Sequence, residues 1–137
     1  MKPGIFGAYD IRGKYPNEIN EKIIEKLLPI ILKVLKVESK GKIVLGYDAR
    51  LSSPKLYKAA MNKLNSLNKS GYKLEIVPAR MITTPMIYFL VHKFKAKGGI
   101  VITASHNPKE YNGIKIVNAS GLPVSGKEIY ELYKALR

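Results

Sequence analysis

An α/β layered domain with a mixed sheet is the fold class this sequence predicts. Segments of branched residues alternate with segments of helical period, the pattern of β–α–β units around a sheet. An Asn112-Gly113 pair signals a tight turn late in the chain, which adds one antiparallel strand. With 137 residues, 46% of them hydrophobic, the chain is one domain's worth and long enough to close a core of its own.

Met1 to Pro16 is a Gly-rich opening without helical period, in which Ile5-Phe6 and Ala8-Tyr9 are placed in a short strand. From Asn17 to Val37, apolar side chains at Ile24, Leu27, Leu28, Ile31, Val34 and Leu35 form a helical stripe. Asn17 or Asn20 caps that helix, and Pro29 is expected to kink or restart it. Lys42 to Tyr47 reads as a buried strand. Pro54 to Ser70 is a second helix, with Ser53 as its N-cap and Gly71 just past its end. Lys73 to Val77 is a strand, and Thr84-Pro85 opens a helix reaching about Phe94. Gly98-Gly99 closes that connection, and Ile100 to Thr103 is a strand of branched residues. Gly113 to Val117 follows the Asn-Gly turn as another strand. Ser125 opens the last helix, with Glu128 three residues on as the second half of a capping box.

Composition narrows the function. There is no cysteine, hence no disulfide framework and no cysteine metal site, which fits a reducing compartment. Gly4, Tyr9, Asp10 and Arg12 interrupt any apolar leader. The longest greasy stretch, Ile23 to Val37, carries Glu25, Lys26, Lys33 and Lys36 and is no membrane span. A soluble, cytoplasmic protein without a membrane partner is the expectation. The net charge of +14, from 24 Lys+Arg against 10 Asp+Glu, favours anionic partners such as phosphorylated metabolites or nucleic acid. The lysines are scattered along the helices, as on a solvated face.

The chemistry concentrates between Gly98 and Val117. Ligands of open α/β sheets bind beyond the carboxyl ends of strands, and here a strand delivers Ser105, His106 and Asn107 to such an end. Pro108 stiffens the loop. On the returning strand Ile114 and Ile116 point one way and Lys115 the other, toward the serine loop. Serine, histidine and lysine at one spot suit a phosphate site, although a Ser-His-Asn-Pro loop taken on composition alone reads more readily as a plain turn. Serine-hydrolase chemistry is disfavoured: His106 is too close in sequence to serve as base, and no Gly-x-Ser-x-Gly is present.

Four motifs in order then carry a resemblance. They are Ala8-Tyr9-Asp10-Ile11-Arg12-Gly13, Gly46-Tyr47-Asp48-Ala49-Arg50-Leu51-Ser52, Thr103-Ala104-Ser105-His106-Asn107-Pro108 and Tyr111-Asn112-Gly113-Ile114-Lys115-Ile116. Together they span nearly the whole chain and resemble the first domain of the α-D-phosphohexomutases. The Tyr-Asp-Ile-Arg-Gly run and Thr103 resemble the phosphomannomutase/phosphoglucomutase branch more than the phosphoglucosamine branch.

The resemblance implies a three-layer α/β/α domain with a mixed, mostly parallel sheet. It implies that Ser105 carries a phosphoryl group, passed to a hexose phosphate and recovered through a hexose 1,6-bisphosphate. Lys115 would be the general acid/base, Arg12 would stand beside the phosphoserine, His106 would help at the transferring phosphate, and Tyr9 would line the substrate crevice. Asp48 and Arg50 would support the site as a buried ion pair. Mg²⁺ would take one oxygen from the phosphate on Ser105, its other ligands lying on an aspartate-rich loop of a second domain. Asp10 and Asp48 are the only aspartates here and sit in different motifs. The chain is accordingly expected to be the first of four domains, a piece of a longer protein whose remaining domains are its partners, and inactive as a mutase alone.

Two rival readings fare worse. Gly121 to Lys127 fits Gly-x-x-x-x-Gly-Lys, but Glu128 stands where a nucleotide-binding loop needs Ser or Thr, and Pro123 lacks an N–H. A non-enzymatic module binding phosphate or nucleic acid draws on the charge alone, with no nucleic-acid-binding signature to support it. His92 reads as a surface or packing residue, and Tyr57, Tyr72, Tyr88, Tyr130 and Tyr133 as core or rim.

Overall fold

A computed structural model describes residues 1–137. Five strands form one sheet: β1 (Ile11–Lys14), β2 (Lys40–Tyr47), β3 (Lys73–Met81), β4 (Gly98–Ile102) and β5 (Tyr111–Asn118). Four helices accompany them: α1 (Glu21–Val34), α2 (Ser53–Lys69), α3 (Thr84–Lys93) and α4 (Gly126–Ala135). The spatial order is β1-β5-β4-β2-β3. β2 pairs in parallel with β3 and β4, whereas β5 is antiparallel to both β4 and β1. Four strands thus run one way and β5 alone runs against them, a mixed and mostly parallel sheet.

The chain steps outward from β2 to β3 and then back across β2 to β4. Right-handed crossovers in opposite directions put their helices on opposite faces. So α2 joins α1 and α4 over one face and α3 covers the other, giving three layers. Alternation along the strands feeds both cores. Ile43, Leu45, Ile100, Ile102, Ile114 and Ile116 enter a cluster of 24 buried residues beneath α1, α2 and α4. Val44, Val101 and Val117 enter a cluster of 7 with Ile87 and Val91 of α3. Each such side chain, fully buried, contributes about 1.5–3 kcal/mol.

Local signals account for the helix ends. Asn20, rather than Asn17, caps α1, its Oδ1 accepting from the Ile23 N–H at 3.1 Å. α1 runs through Pro29 without a break, its stripe of Ile24, Leu27, Leu28 and Ile31 fully buried. Ser125 caps α4 by accepting from the Lys127 N–H at 3.2 Å, while Glu128 returns no bond to it.

Four expectations are corrected. Ile5 ends a short 3-10 turn, Pro3–Ile5, and Phe6 makes only an isolated bridge to Ile11. The first strand is instead β1, whose inward positions are Ile11 and Gly13, so a glycine hides the alternation. Ser53 is inside α2, not its cap, because its hydroxyl is committed to Asp48 and Asn112. Asn112-Gly113 is no turn: it lies within β5, with Gly113 opposite Arg12. A Cβ on Gly113 would fall 2.0 Å from the Ile11 carbonyl oxygen, so the glycine permits close approach of β1. Likewise Gly98 and Gly99 belong to β4, where Ile87 and Val91 of α3 press against Gly99.

Candidate active site

β2 sends the chain toward β3 by way of α2, and β4 sends it the other way to β5. Neighbouring strands whose connections diverge leave a crevice beyond their carboxyl ends, where ligands of α/β sheets bind. β2 delivers Asp48 and Arg50 to that crevice, and β4 delivers Thr103 and Ser105. A cavity of about 840 Å³ opens there, lined by Asp48, Thr84, Pro85, Tyr88, Thr103, Ser105, His106 and Lys115.

Ser105 is exposed and has φ 52°, in the left-handed region. A non-glycine residue there costs about 1–3 kcal/mol and persists only when its surroundings impose it. Several bonds do so. The Ser105 N–H donates to Thr103 Oγ1 at 3.0 Å, and the Asn107 side chain donates to the Ala104 carbonyl at 2.7 Å. The Arg50 guanidinium reaches across from the end of β2 and donates to four carbonyls, three in the loop and one at the first residue of β5. Nη1 bonds Pro108 at 2.7 Å and Tyr111 at 3.1 Å, and Nη2 bonds Ser105 at 2.9 Å and Asn107 at 2.7 Å.

Arg50 is itself held. Its Nε lies 3.3 Å from Asp48 Oδ2, and its side chain is 13% exposed. Asp48 Oδ1 accepts from the Arg50 N–H at 3.0 Å and from the Ser53 hydroxyl. Asn112, fully buried on β5, donates to Ser52 Oγ at 2.7 Å and Ser53 Oγ at 2.9 Å and accepts from the Gly113 N–H at 2.8 Å. The supporting ion pair is therefore present and belongs to a continuous polar network joining β2, α2, β5 and the serine loop.

Lys115 is half-buried on the sheet face opposite Ile114 and Ile116, with Nζ 5.8 Å from the centroid of the Tyr88 ring. Electron density on that ring face attracts the ammonium and steadies it. Among the site residues expected from sequence, Ser105, His106 and Lys115 meet in the cavity. Arg12 and Tyr9 are not part of its lining. Arg12 shares the Lys115 face, since it stands opposite Gly113 on the neighbouring strand, and its Nε lies 3.5 Å from Asp10 Oδ1. Tyr9 is 65% exposed, before β1. Sequence reasoning passed over Thr84 and Pro85 as a helix start, and took Tyr88 for core or rim. The spacing of Thr84 and Tyr88, one helical turn apart, was the signal that they share a face.

The chain's own residues do not make a divalent-metal centre. No group of three or more His, Cys, Asp or Glu side chains is clustered anywhere. Asp48, the one carboxylate lining the cavity, already serves Arg50 and Ser53. No helix is long and apolar enough to cross a membrane.

Residues 3–137 match the family described as "Phosphoglucomutase/phosphomannomutase, alpha/beta/alpha domain I". The chain is 41% identical over 121 residues to a phosphomannomutase of Escherichia coli, covering 88% of this chain and 25% of that protein. It is 38% identical over 120 residues to a probable phosphoglucosamine mutase of Methanosphaera stadtmanae, with the same coverage of 88% and 25%. The chain thus spans about a quarter of the length of these curated relatives. Among solved structures, a putative phosphomannomutase from Thermus thermophilus superposes with a TM-score of 0.79 at 28% identity, over 100% of this chain and 31% of that one.

Proposed function

Because the chain belongs to the phosphoglucomutase/phosphomannomutase family as its alpha/beta/alpha domain I, we propose that Ser105 carries a phosphoryl group and exchanges it with a hexose phosphate. The observation that supports this most is the placement of an exposed, conformationally constrained serine in one cavity with Lys115 and His106. A phosphoserine holds about −1.5 to −2 charges and needs cations and donors around it. Lys115 answers that charge from β5, His106 from the residue after the serine, and Arg12 from the same sheet face at the rim.

In the forward step the sugar hydroxyl attacks phosphorus. The Oγ–P bond to Ser105 breaks as the new O–P bond forms; the Lys115 ammonium gives a proton to the departing Oγ and takes the hydroxyl proton in its place. The product is a hexose 1,6-bisphosphate and a free Ser105. The sugar then presents its other phosphate, the serine attacks in turn, and the proton returns. Little covalent chemistry is left to the protein beyond positioning and electrostatics, which explains why so much of the site is scaffold. The substrate is proposed as mannose or glucose phosphate. The M. stadtmanae relative keeps glucosamine phosphate as the second reading. The remaining domains of a longer mutase are its proposed partners, and the isolated chain is expected to lack turnover.

The test is phosphorus NMR of hexose 1-phosphate conversion by the protein as its gene encodes it, with the three sugars in parallel. Conversion by the wild type and loss in Ser105→Ala supports the reading. Conversion by the Ser105→Ala protein, or none by the wild type with any of the sugars, refutes it.

A further inference from the structure

We propose that Arg50 is the positioning residue for Ser105, gathering the loop carbonyls so that the serine is held in its left-handed conformation at the cavity. The inference rests on the reading of Ser105 as phosphoryl carrier. It assigns a role to a side chain that faces the loop from behind and lines a second, smaller cavity with Asp48, Ala49, Ser105, Asn107 and Lys109.

The serine loop has neither sheet nor helix to satisfy its backbone. Between Ile102 and Tyr111 it has no regular structure, and its backbone must find partners elsewhere. The carbonyls of Ser105, Asn107, Pro108 and Tyr111 all find the same one. A guanidinium is planar, always charged, and presents its donors in a fixed fork. Four acceptors converging on one such plane are constrained in direction as well as distance. A lysine, a point charge with three rotatable donors, does not reproduce that geometry. One of the four carbonyls belongs to the strained residue itself and another, at Asn107, follows two residues on, so the fork holds the backbone that sets the Oγ direction.

Electrostatics point the same way. Four carbonyl oxygens carry partial negative charge, and a dianionic phosphate on Ser105 would be repelled by any that faced it. With Arg50 present, their negative ends are drawn to one cation. Arg50 in turn is fixed by both oxygens of Asp48, and Asp48 by Ser53, which lies under Asn112 of β5. The strand that bears Lys115 therefore also braces the residue that sets Ser105, tying the two reacting groups to one frame.

Misplacement of a reacting group by about 1 Å costs about 10²-fold in rate. The experiment measures kcat and KM for the wild type, Arg50→Ala, Arg50→Lys and Ser105→Ala in the protein as its gene encodes it, with hydrogen exchange of amides 104–111 and melting followed in parallel. Arg50→Ala is expected to lower kcat about 10²-fold while KM changes less than about 3-fold, the signature of an interaction expressed in the transition state. Arg50→Lys is expected to remain folded and to recover only part of kcat, with faster exchange confined to the loop. Full recovery by lysine would mean that charge alone suffices and would overturn the proposal, as would unchanged kcat in Arg50→Ala. If Ser105→Ala retains activity, the reading of the serine itself fails, an outcome separate from either result at Arg50.

Discussion

Gly99→Ala tests how closely α3, and the cavity wall it carries, is seated on the sheet. A Cβ on Gly99 would lie 2.6 Å from Ile87 Cγ1, 2.7 Å from Val91 Cγ2 and 2.8 Å from Ile87 Cδ1. Both neighbours are buried and stand on successive turns of one helix face, so neither has room to rotate away. Restoring ordinary contact at 3.4 Å requires α3 to rise by about 0.6–0.8 Å. Overpacking of this kind costs about 1–3 kcal/mol. Alanine returns about 0.5–1 kcal/mol by restricting the unfolded chain. From the middle of both ranges the net loss is about 1 kcal/mol, or about 3–5 °C in Tm for a domain of this size. Urea denaturation and thermal melting read it directly. Gly41→Ala is the internal control, since its closest neighbour is the flexible Lys97 side chain at 3.0 Å. A Gly99→Ala protein as stable as the wild type, or as Gly41→Ala, would refute the claim that α3 is seated by that glycine.

Two further predictions concern the serine loop. Ser105→Gly is expected to be more stable than Ser105→Ala by about 0.5–1 kcal/mol, because glycine escapes the left-handed penalty of about 1–2 kcal/mol and gives back only part of it as chain entropy. Equal urea midpoints for the two variants would show that the φ of 52° carries no strain. Asn112→Ala removes three hydrogen bonds from a fully buried position and should cost about 2–3 kcal/mol in chemical denaturation, at about 1 kcal/mol each. A loss below about 1 kcal/mol would mean that the network under Arg50 contributes little.

What sequence reasoning reached, and what it missed, divides by range. The stripe of α1, the Asn20 and Ser125 caps and the two-faced alternation around Lys115 are local properties, and each has its counterpart in the fold. So is the delivery of Ser105 to a strand end. Asn112-Gly113 misled because its dipeptide carries a turn signal, while the true reason for the glycine is β1, paired with it from the far end of the chain. Gly98-Gly99 misled in the same way, since the helix pressing on it cannot be read from two letters. β1 went unseen because four residues with a glycine at an inward position show no alternation. The fork of Arg50 spans 55 to 61 residues of sequence, and no spacing rule connects an arginine with carbonyls that distant. Arg12 and Tyr9 came with the family resemblance rather than from local pattern, and they stand outside the cavity that unites the other three.

β4 and β5 are consecutive, antiparallel and bonded along their length, with Ser105 at the bend and Lys115 on the return. The proposed nucleophile and base thus ride on a single stiff hairpin. A swing or twist elsewhere in a larger assembly carries them as one piece and leaves their separation unchanged. Motion then governs what is brought to the pair and what is let go, so on the proposed function mutations at distant hinges would slow capture and release of the substrate while sparing the bond-making step.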